Sequence, residues 1–309
     1  MTMKVKRQRK KLSPMQRSNY RAFYFMMTPF LLLFIVYRLF PMIWGLYISF
    51  TNYSGFNMGS MANVGWKNYI RAFEDSQAMI SLGRTFLIGI ITIPASMVIC
   101  NVMAIALSMK FKGVGILRTI FYIPSILPAV AVGTMWNGMF LRDGGVFNEL
   151  VKLFGGEPIN WLGYDYIFYS LILMLLWGAG GSVLNNISAI KNISTELIES
   201  ARLDGAGNWG VIRHIILPMT APMNYMAVVT GIISTLQMFA QPLMLSGVGM
   251  SSVPLQPVYT YMVHAYQQIF ANLRFGYGLA LTWIVFVIMM VLTLVTRRIG
   301  DKMSDNIAT

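Results

Sequence analysis

Three of the eleven acidic residues in this 309-residue chain, Glu196, Glu199 and Asp204, share one polar stretch at 196–218, set between two long apolar runs. Clustered carboxylates can hold a metal, move protons, or pair with cations on another molecule. A metal centre needs further ligands close by. Here His214 and His264 fall in different loops, and the single cysteine, Cys100, lies inside an apolar run. Covalent catalysis needs a nucleophile beside a base, and the sequence offers no Ser/His, Cys/His or paired-carboxylate constellation. Phosphoryl transfer needs a loop that cradles phosphate, and no Gly-x-x-x-x-Gly-Lys-Ser/Thr stretch occurs. What remains is electrostatic: acids held out in water to a basic partner.

The elements that must position this stretch are apolar. The chain is 56% hydrophobic and 11% charged, against roughly 25% charged in soluble domains. Six runs, at 22–50, 85–109, 119–141, 166–190, 222–245 and 275–296, reach the roughly 20 helical residues that a bilayer core demands. Five hold no Asp, Glu, Lys or Arg. The first holds only Arg38, which either snorkels to the headgroups or faces a translocation path. This run is too long for a signal peptide and lacks a small-residue cleavage site.

The formal net charge of +13 is unevenly placed. Eight basic residues (Lys4, Lys6, Arg7, Arg9, Lys10, Lys11, Arg17 and Arg21) crowd the N-terminal tail, and others fall at 110–118, 191–213 and 297–302. With six alternating spans these segments share one side, and Lys67, Arg71, Arg84, Arg142, Lys152 and Arg274 take the other. Positive charge accumulates on the cytoplasmic side, so both termini and the loop 191–221 are read as cytoplasmic. The tail serves as a topology signal that touches anionic lipid, not as a nucleic-acid site. The predicted protein is all-α and multi-pass in the cell membrane. It has a basic tail (1–21), a first span (22–50), an outer loop (51–84), a five-helix core (85–296) and a short cytoplasmic tail (297–309).

Within 196–218, Ser194 or Thr195 can cap a helix whose first turns carry Glu196 and Glu199, where the helix dipole favours negative charge. Glu199, Leu203 and Ala206 are predicted to share one face. Gly205 and Gly207 break the helix into a sharp turn, and a second short helix from 209 to 217 ends at Pro218. Ala201 and Ala206 are small enough for close approach. The apolar set Leu197, Leu203, Trp209, Ile212 and Ile216 exceeds what a solvated connector needs. On the other side, short surface helices are predicted at 64–75 and at 146–154, the latter stopped by Gly155-Gly156. The segment 246–274, broken by Pro254 and Pro257, reads as an outer loop with an aromatic face from Tyr259, Tyr261, Tyr266 and Phe270.

Inside the spans, Gly178, Gly180, Gly181, Ser182, Gly231, Ser234 and Thr235 suit close helix packing. Carboxamides are costly facing lipid, so Asn101, Asn137, Asn185, Asn186, Gln237 and Gln241 must each meet another helix, a water-filled cavity or a ligand. Trp136, Trp177 and Tyr225 lie near them in sequence and could equally be interfacial anchors.

The stretch Glu199-Ser-Ala-Arg-Leu-Asp-Gly-Ala-Gly, closing in Ile-Leu-Pro218, resembles the EAA loop of binding-protein-dependent ABC importers. It departs at Ser200 and Ile212, where that family prefers Ala and Phe. Ser49-Phe-Thr-Asn-Tyr53, Val64-Gly-Trp-Lys-Asn-Tyr69, Arg118-Thr-Ile-Phe-Tyr-Ile-Pro124, Asp143-Gly-Gly-Val-Phe-Asn148 and Gln237-Met-Phe239 resemble the maltose-type carbohydrate-uptake permeases. Gly247-Val-Gly-Met250 stands where that class usually has a Gly-Gly-Pro turn.

The resemblance implies a type I ABC importer permease fold that pairs with a second permease, most simply as a heterodimer. Two ATPase subunits beneath bind ATP and Mg, since this chain binds no cofactor itself, and an extracytoplasmic binding protein delivers the solute. Glu199, Ala201, Asp204, Gly205, Ala206 and Pro218 would form the ATPase-coupling segment. Trp177, Asn185, Ser234, Gln237 and Gln241 would line the solute path. A carbohydrate is the first reading of the cargo, with glycerol phosphate or an acidic sugar as the alternative. A stand-alone secondary carrier would leave the acidic loop unexplained, and an intramembrane enzyme would need catalytic groups that the spans lack.

Overall fold

The structure is a computed structural model describing residues 14–109, 111–247 and 253–308. The basic residues from Lys4 to Lys11, and the 248–250 departure from the family turn, lie outside the described residues. The chain divides into two units, Met1–Ile48 and Ser49–Thr309.

In the first unit, α1 (Pro14–Phe34) and α2 (Phe40–Ser49) are joined by a π-helical turn at Ile35–Leu39 that carries Arg38. Together they give an apolar helix, Ser18–Ser49, long enough to cross a bilayer.

The second unit is built around α4. The short α3 (Lys67–Glu74) ends at Asp75, whose side chain accepts hydrogen bonds from Gln77 N and Ala78 N and so starts α4 (Ser76–Ser108). The cap moves the helix start well before the apolar run at Thr85, so Arg84 stands inside the helix. Next come α5 (Val114–Ile126), α6 (Ala129–Met139) and the surface helix α7 (Val146–Leu153). Helices α8 (Ile167–Trp177) and α9 (Gly180–Lys191) follow, then α10 (Thr195–Leu203), α11 (Asn208–Val211) and α12 (Leu217–Met219). The last are α13 (Ala221–Leu236), α14 (Ala240–Leu245), α15 (Tyr261–Phe270) and α16 (Phe275–Ala308).

A helix that is apolar all round is covered on several sides. Accordingly α4 supplies a side chain to each of three buried clusters: Ala78 packs with Tyr261 and Leu281, Ile88 with Trp136 and Leu171, and Cys100 and Ala104 with Val183 and Ile187.

Among the described residues, four helices are long and apolar enough to span a membrane, and two bent pairs bring the number to six if each pair is one span. The run at 119–141, predicted as one span, is bent by 106° between α5 and α6. Pro128 has no N–H to donate and holds Leu127 extended at ψ 138°, which ends α5. The run 222–245 is also interrupted: α13 stops at Leu236, and α14 starts after Phe239.

The largest departure from the sequence reading is at 246–274. Instead of an outer loop with an aromatic face, α15 is sunk into the unit, with Tyr261, Val263, His264, Ala265, Gln267 and Gln268 buried. Its start is pinned to α4 by Tyr261 N donating to Thr85 Oγ1 at 2.9 Å. Polar contacts of the segment and its surroundings hold it there. Tyr259 OH lies 3.0 Å from His264 Nδ1, and Tyr277 OH donates to Asp75 Oδ2 at 2.7 Å. His264 Nε2 sits 3.3 Å from the same carboxylate oxygen, close enough for an ion pair but out of line for a hydrogen bond.

Candidate functional site: an exposed hairpin and a central cavity

The polar loop folds into a hairpin of two short helices. Ser194 caps α10 by accepting from Leu197 N at 3.3 Å. The helix ends in a Schellman motif: Gly205 N donates to Arg202 O at 3.1 Å and Ala206 N to Ala201 O at 2.9 Å. That closure needs a left-handed residue, and Gly205 has φ +87°. A Cβ at Gly205 would meet nothing within 4 Å, so backbone conformation, not space, demands glycine there.

Ala206 lies beyond the helix, not on the face predicted for it with Glu199 and Leu203, and its Cβ is 3.5 Å from where a Cβ on Gly210 would stand. The second arm is α11, a π-helical turn at Ile212–Ile216 and α12, which contains Pro218. It bends by 60° into α13.

None of the residues of α10 is buried. Glu199 and Asp204 are exposed and Ala201 is half-buried. Leu203 is 89% and Trp209 69% exposed. Acidic and apolar groups thus stand uncovered side by side on one protruding element.

The second feature is a cavity of about 460 Å³ where helices are interrupted, a volume in the roughly 300–1,000 Å³ range of small-molecule pockets. Its wall includes Leu127 at the α5–α6 bend, Gly178 and Ala179 at the α8–α9 joint, and Gln241 beyond the end of α13. Irregular backbone at membrane depth is tolerated where it lines such a space.

Hydroxyls of Thr92, Ser96, Ser125, Ser182, Thr230 and Ser234 also line it. Several donate to their own helix, as Thr92 Oγ1 does to Ile88 O and Ser125 Oγ to Tyr122 O, leaving oxygen lone pairs to accept. Helices α5 and α9 pack closely, since a Cβ on Gly180 would fall 1.6 Å from Phe121 O.

Of the residues the sequence assigned to a solute path, the cavity brings together Ser234 and Gln241. Trp177 instead packs edge-on against Trp136, with ring centroids 5.8 Å apart. Asn185 and Gln237 are exposed away from the wall, Gln237 capping the end of α13. Asn137 Nδ2 donates to Leu245 O at 2.7 Å, tying α6 to α14. Apart from Ser234, the hydroxyls were missed because each Ser or Thr alone reads as a packing residue. Their sequence signal is recurrence at helical spacing, as in Thr92 and Ser96.

Residues 96–305 match the family described as the binding-protein-dependent transport system inner membrane component. The chain belongs to this family. It is therefore a multi-pass inner-membrane permease component of a binding-protein-dependent ABC transport system, and ATP is hydrolysed by a separate subunit. The permease is 31% identical over 284 residues to the probable ABC transporter permease YesP of Bacillus subtilis strain 168, covering 90% of each chain. It is 27% identical over 290 residues to the probable starch degradation products transport permease AmyD of Thermoanaerobacterium thermosulfurigenes, covering 91% and 94%. The fold is that of a permease chain in the crystal structure of a bacterial ABC transporter involved in the import of the acidic polysaccharide alginate. The TM-score is 0.78 at 20% identity, covering 94% of this chain and 99% of that one.

Proposed function

We propose that this permease carries a carbohydrate, an oligosaccharide or a sugar derivative, received from an extracytoplasmic binding protein, and that the hairpin at 195–219 is where ATPase subunits drive it. The observation that carries the reading is the uncovered hairpin: a capped helix without one buried residue, bearing Glu199 and Asp204 beside exposed Leu203. Such a surface fits a cleft lined by basic and apolar groups.

In this reading Glu199 pairs with a cation of the ATPase, Gly205 holds the turn, and Asp204, Ala201 and Ala206 shape the contact. Pro218 marks the end of the driven segment before α13. Two ATPase subunits, using ATP and Mg, and a second permease complete the transporter. The hairpin and both termini face the cytoplasm, and the N-terminal tail meets anionic lipid.

The cargo reading draws on AmyD, whose name concerns starch degradation products, and on a cavity whose polar groups are hydroxyls and an amide, uncharged partners suited to sugar hydroxyls. Uptake of labelled oligosaccharides by the assembled transporter tests it. Gln241→Ala and Ser234→Ala should each lower uptake by about tenfold. Asn185→Ala, off the cavity wall, should lower it little. Unchanged uptake in both cavity variants counts against the assignment of Ser234 and Gln241.

One observation favours an acidic sugar as the second reading. Arg84 is a half-buried cation inside α4, and its guanidinium donates to an amide oxygen, Gln256 Oε1, at 2.7 Å instead of to a carboxylate. In the same assay, a loss of uronate uptake but not of neutral-sugar uptake in Arg84→Gln would favour it.

A further inference from the structure

Two short helices, α3 and α7, stand at the ends of spans on the side away from the 195–219 hairpin. α3 leads into the start of α4 through the Asp75 cap. The other end of α4 packs Cys100 and Ala104 against Val183 and Ile187 on α9, the helix that leads into the hairpin. α7 precedes the start of α8, at the far end of the span that α8 and α9 form.

Both helices are held at that level. Asn68 on α3 donates from Nδ2 to Ser49 O and Thr51 O at 2.8 Å each. The Arg71 guanidinium lies 4.6 Å from the centre of the Tyr277 ring in the first turn of α16. On α7, Asn148 Oδ1 accepts from Trp161 Nε1 at 3.0 Å, and Trp161 O accepts from Ser170 Oγ, in the first turn of α8, at 2.8 Å. Phe147 stacks on Phe140 just past the end of α6, with ring centroids 4.8 Å apart.

Each helix divides its surface three ways. At 3.6 residues per turn, Trp66, Ile70 and Phe73 share one side of α3, and all three are more than half exposed. Asn68 and Ala72 face the protein, and Lys67 and Glu74 form an exposed charged edge. α7 repeats the division. Val146, Leu150, Leu153 and Phe154 make an exposed apolar side, Phe147 and Asn148 the packed side, and Glu149 and Lys152 a charged edge joined by a 2.9 Å ion pair. A helix lying on a membrane beside a bundle has protein, acyl chain and water as neighbours, and so needs these three faces. The stripes also match the flanks of the spans they adjoin, since α4 exposes Ile80 and Leu87 and α8 exposes Tyr169 and Leu173.

We propose that α3 and α7 are interfacial anchors that lay their apolar stripes into the phospholipid leaflet opposite the hairpin. Trp66 has the amphipathic ring favoured at the headgroup boundary, and Lys67 and Lys152 reach towards lipid phosphate. The anchors fix the depth of α4 and α8, two helices that wall the cavity through Thr92, Ser96, Met174 and Leu175.

Fluorophores on single cysteines test this in the complete transporter, reconstituted in phosphatidylethanolamine–phosphatidylglycerol vesicles. The permease carries Cys100→Ser, its partner subunits lack reactive cysteines, and one cysteine is added at a time. Ile70→Cys and Leu150→Cys report on the stripes, Lys67→Cys and Lys152→Cys on the charged edges. A lipid bearing a nitroxide on its acyl chain should quench the stripe labels more than the edge labels. Iodide on both sides of the membrane should quench the stripe labels about fivefold less than the edge labels, because an ion avoids the apolar boundary. Phe73→Cys and Leu153→Cys are read in the same way if the first stripe variants do not accumulate. Equal iodide quenching at stripe and edge would overturn the proposal, because the stripes then face water. Stripe labels shielded from iodide yet untouched by the nitroxide lipid would overturn it too, because protein then covers them.

Discussion

At the scale of single residues, this permease uses a few side chains whose chemistry leaves little freedom. Gly205 is one, and its role was legible in the sequence because glycine after a capped, acid-led helix is a stop signal with a physical cause. Asn148 is another, and it was not legible. It closed the stretch Asp143–Asn148 that carried part of the family resemblance, with no sign of what it does, yet it is fully buried. Its amide donates to Leu141 O, Arg142 O and Ile159 O, and its oxygen accepts from Ile159 N at 2.9 Å and Trp161 Nε1 at 3.0 Å. One side chain thereby folds the loop between α6 and α8 onto α7. Asn148→Ala strands buried donors and acceptors at once, and should cost about 3 kcal/mol. Thermal unfolding in detergent should show a clearly lowered midpoint, and Lys152→Ala on the same helix, an exposed position, should leave it within error.

At the scale of elements, the spans were legible wherever composition alone defines them and illegible wherever distant groups decide. The 106° break between α5 and α6 follows from Pro128, but a proline in a span also permits a mild kink, so its size depended on neighbouring helices. Asn224 lay near the start of a span and gave no sign that Asn101 and Asn186 would converge on it. The burial of α15 depended on partners far along the chain, above all Asp75.

That last contact gives a pH dependence. Burial holds the His264 imidazole below its usual range, and the Asp75 charge offsets this only in part. Burial raises the Asp75 carboxyl, but hydrogen bonds from Tyr277, Ala78 and Gln77 and the charge of His264 outweigh it and leave it below the usual carboxylate range. Below about pH 6.5 an unfolded histidine takes a proton that buried His264 resists. The unfolded state then binds more protons, so stability is full above that pH and falls beneath it. Asp75 adds a further loss below about pH 4. Unfolding midpoints measured from pH 8 to pH 5 should fall, and His264→Gln should flatten that profile. A midpoint rising on acidification would reverse the assigned sign.

At the scale of the whole molecule, the permease joins two regions with different demands. The cavity depends on broken helices, small residues and uncharged hydroxyls, which identify no cargo in sequence because the same residues serve packing. The hairpin depends on scarce charge, a cap and a glycine, and so it carried the functional class. Between them α13 runs from the end of the hairpin to the cavity wall as a single rod. In the proposed function, force enters at the hairpin and acts at the cavity.

The most direct measurement is ATP-driven oligosaccharide uptake by proteoliposomes of the complete transporter carrying Gly205→Glu. An L-residue in the left-handed conformation costs about 1 kcal/mol locally, and a Cβ there meets no neighbour within 4 Å. The variant should fold and reach the membrane like wild type, yet lose uptake by at least about tenfold together with its hold on the ATPase. Wild-type uptake with normal ATPase association would contradict the account.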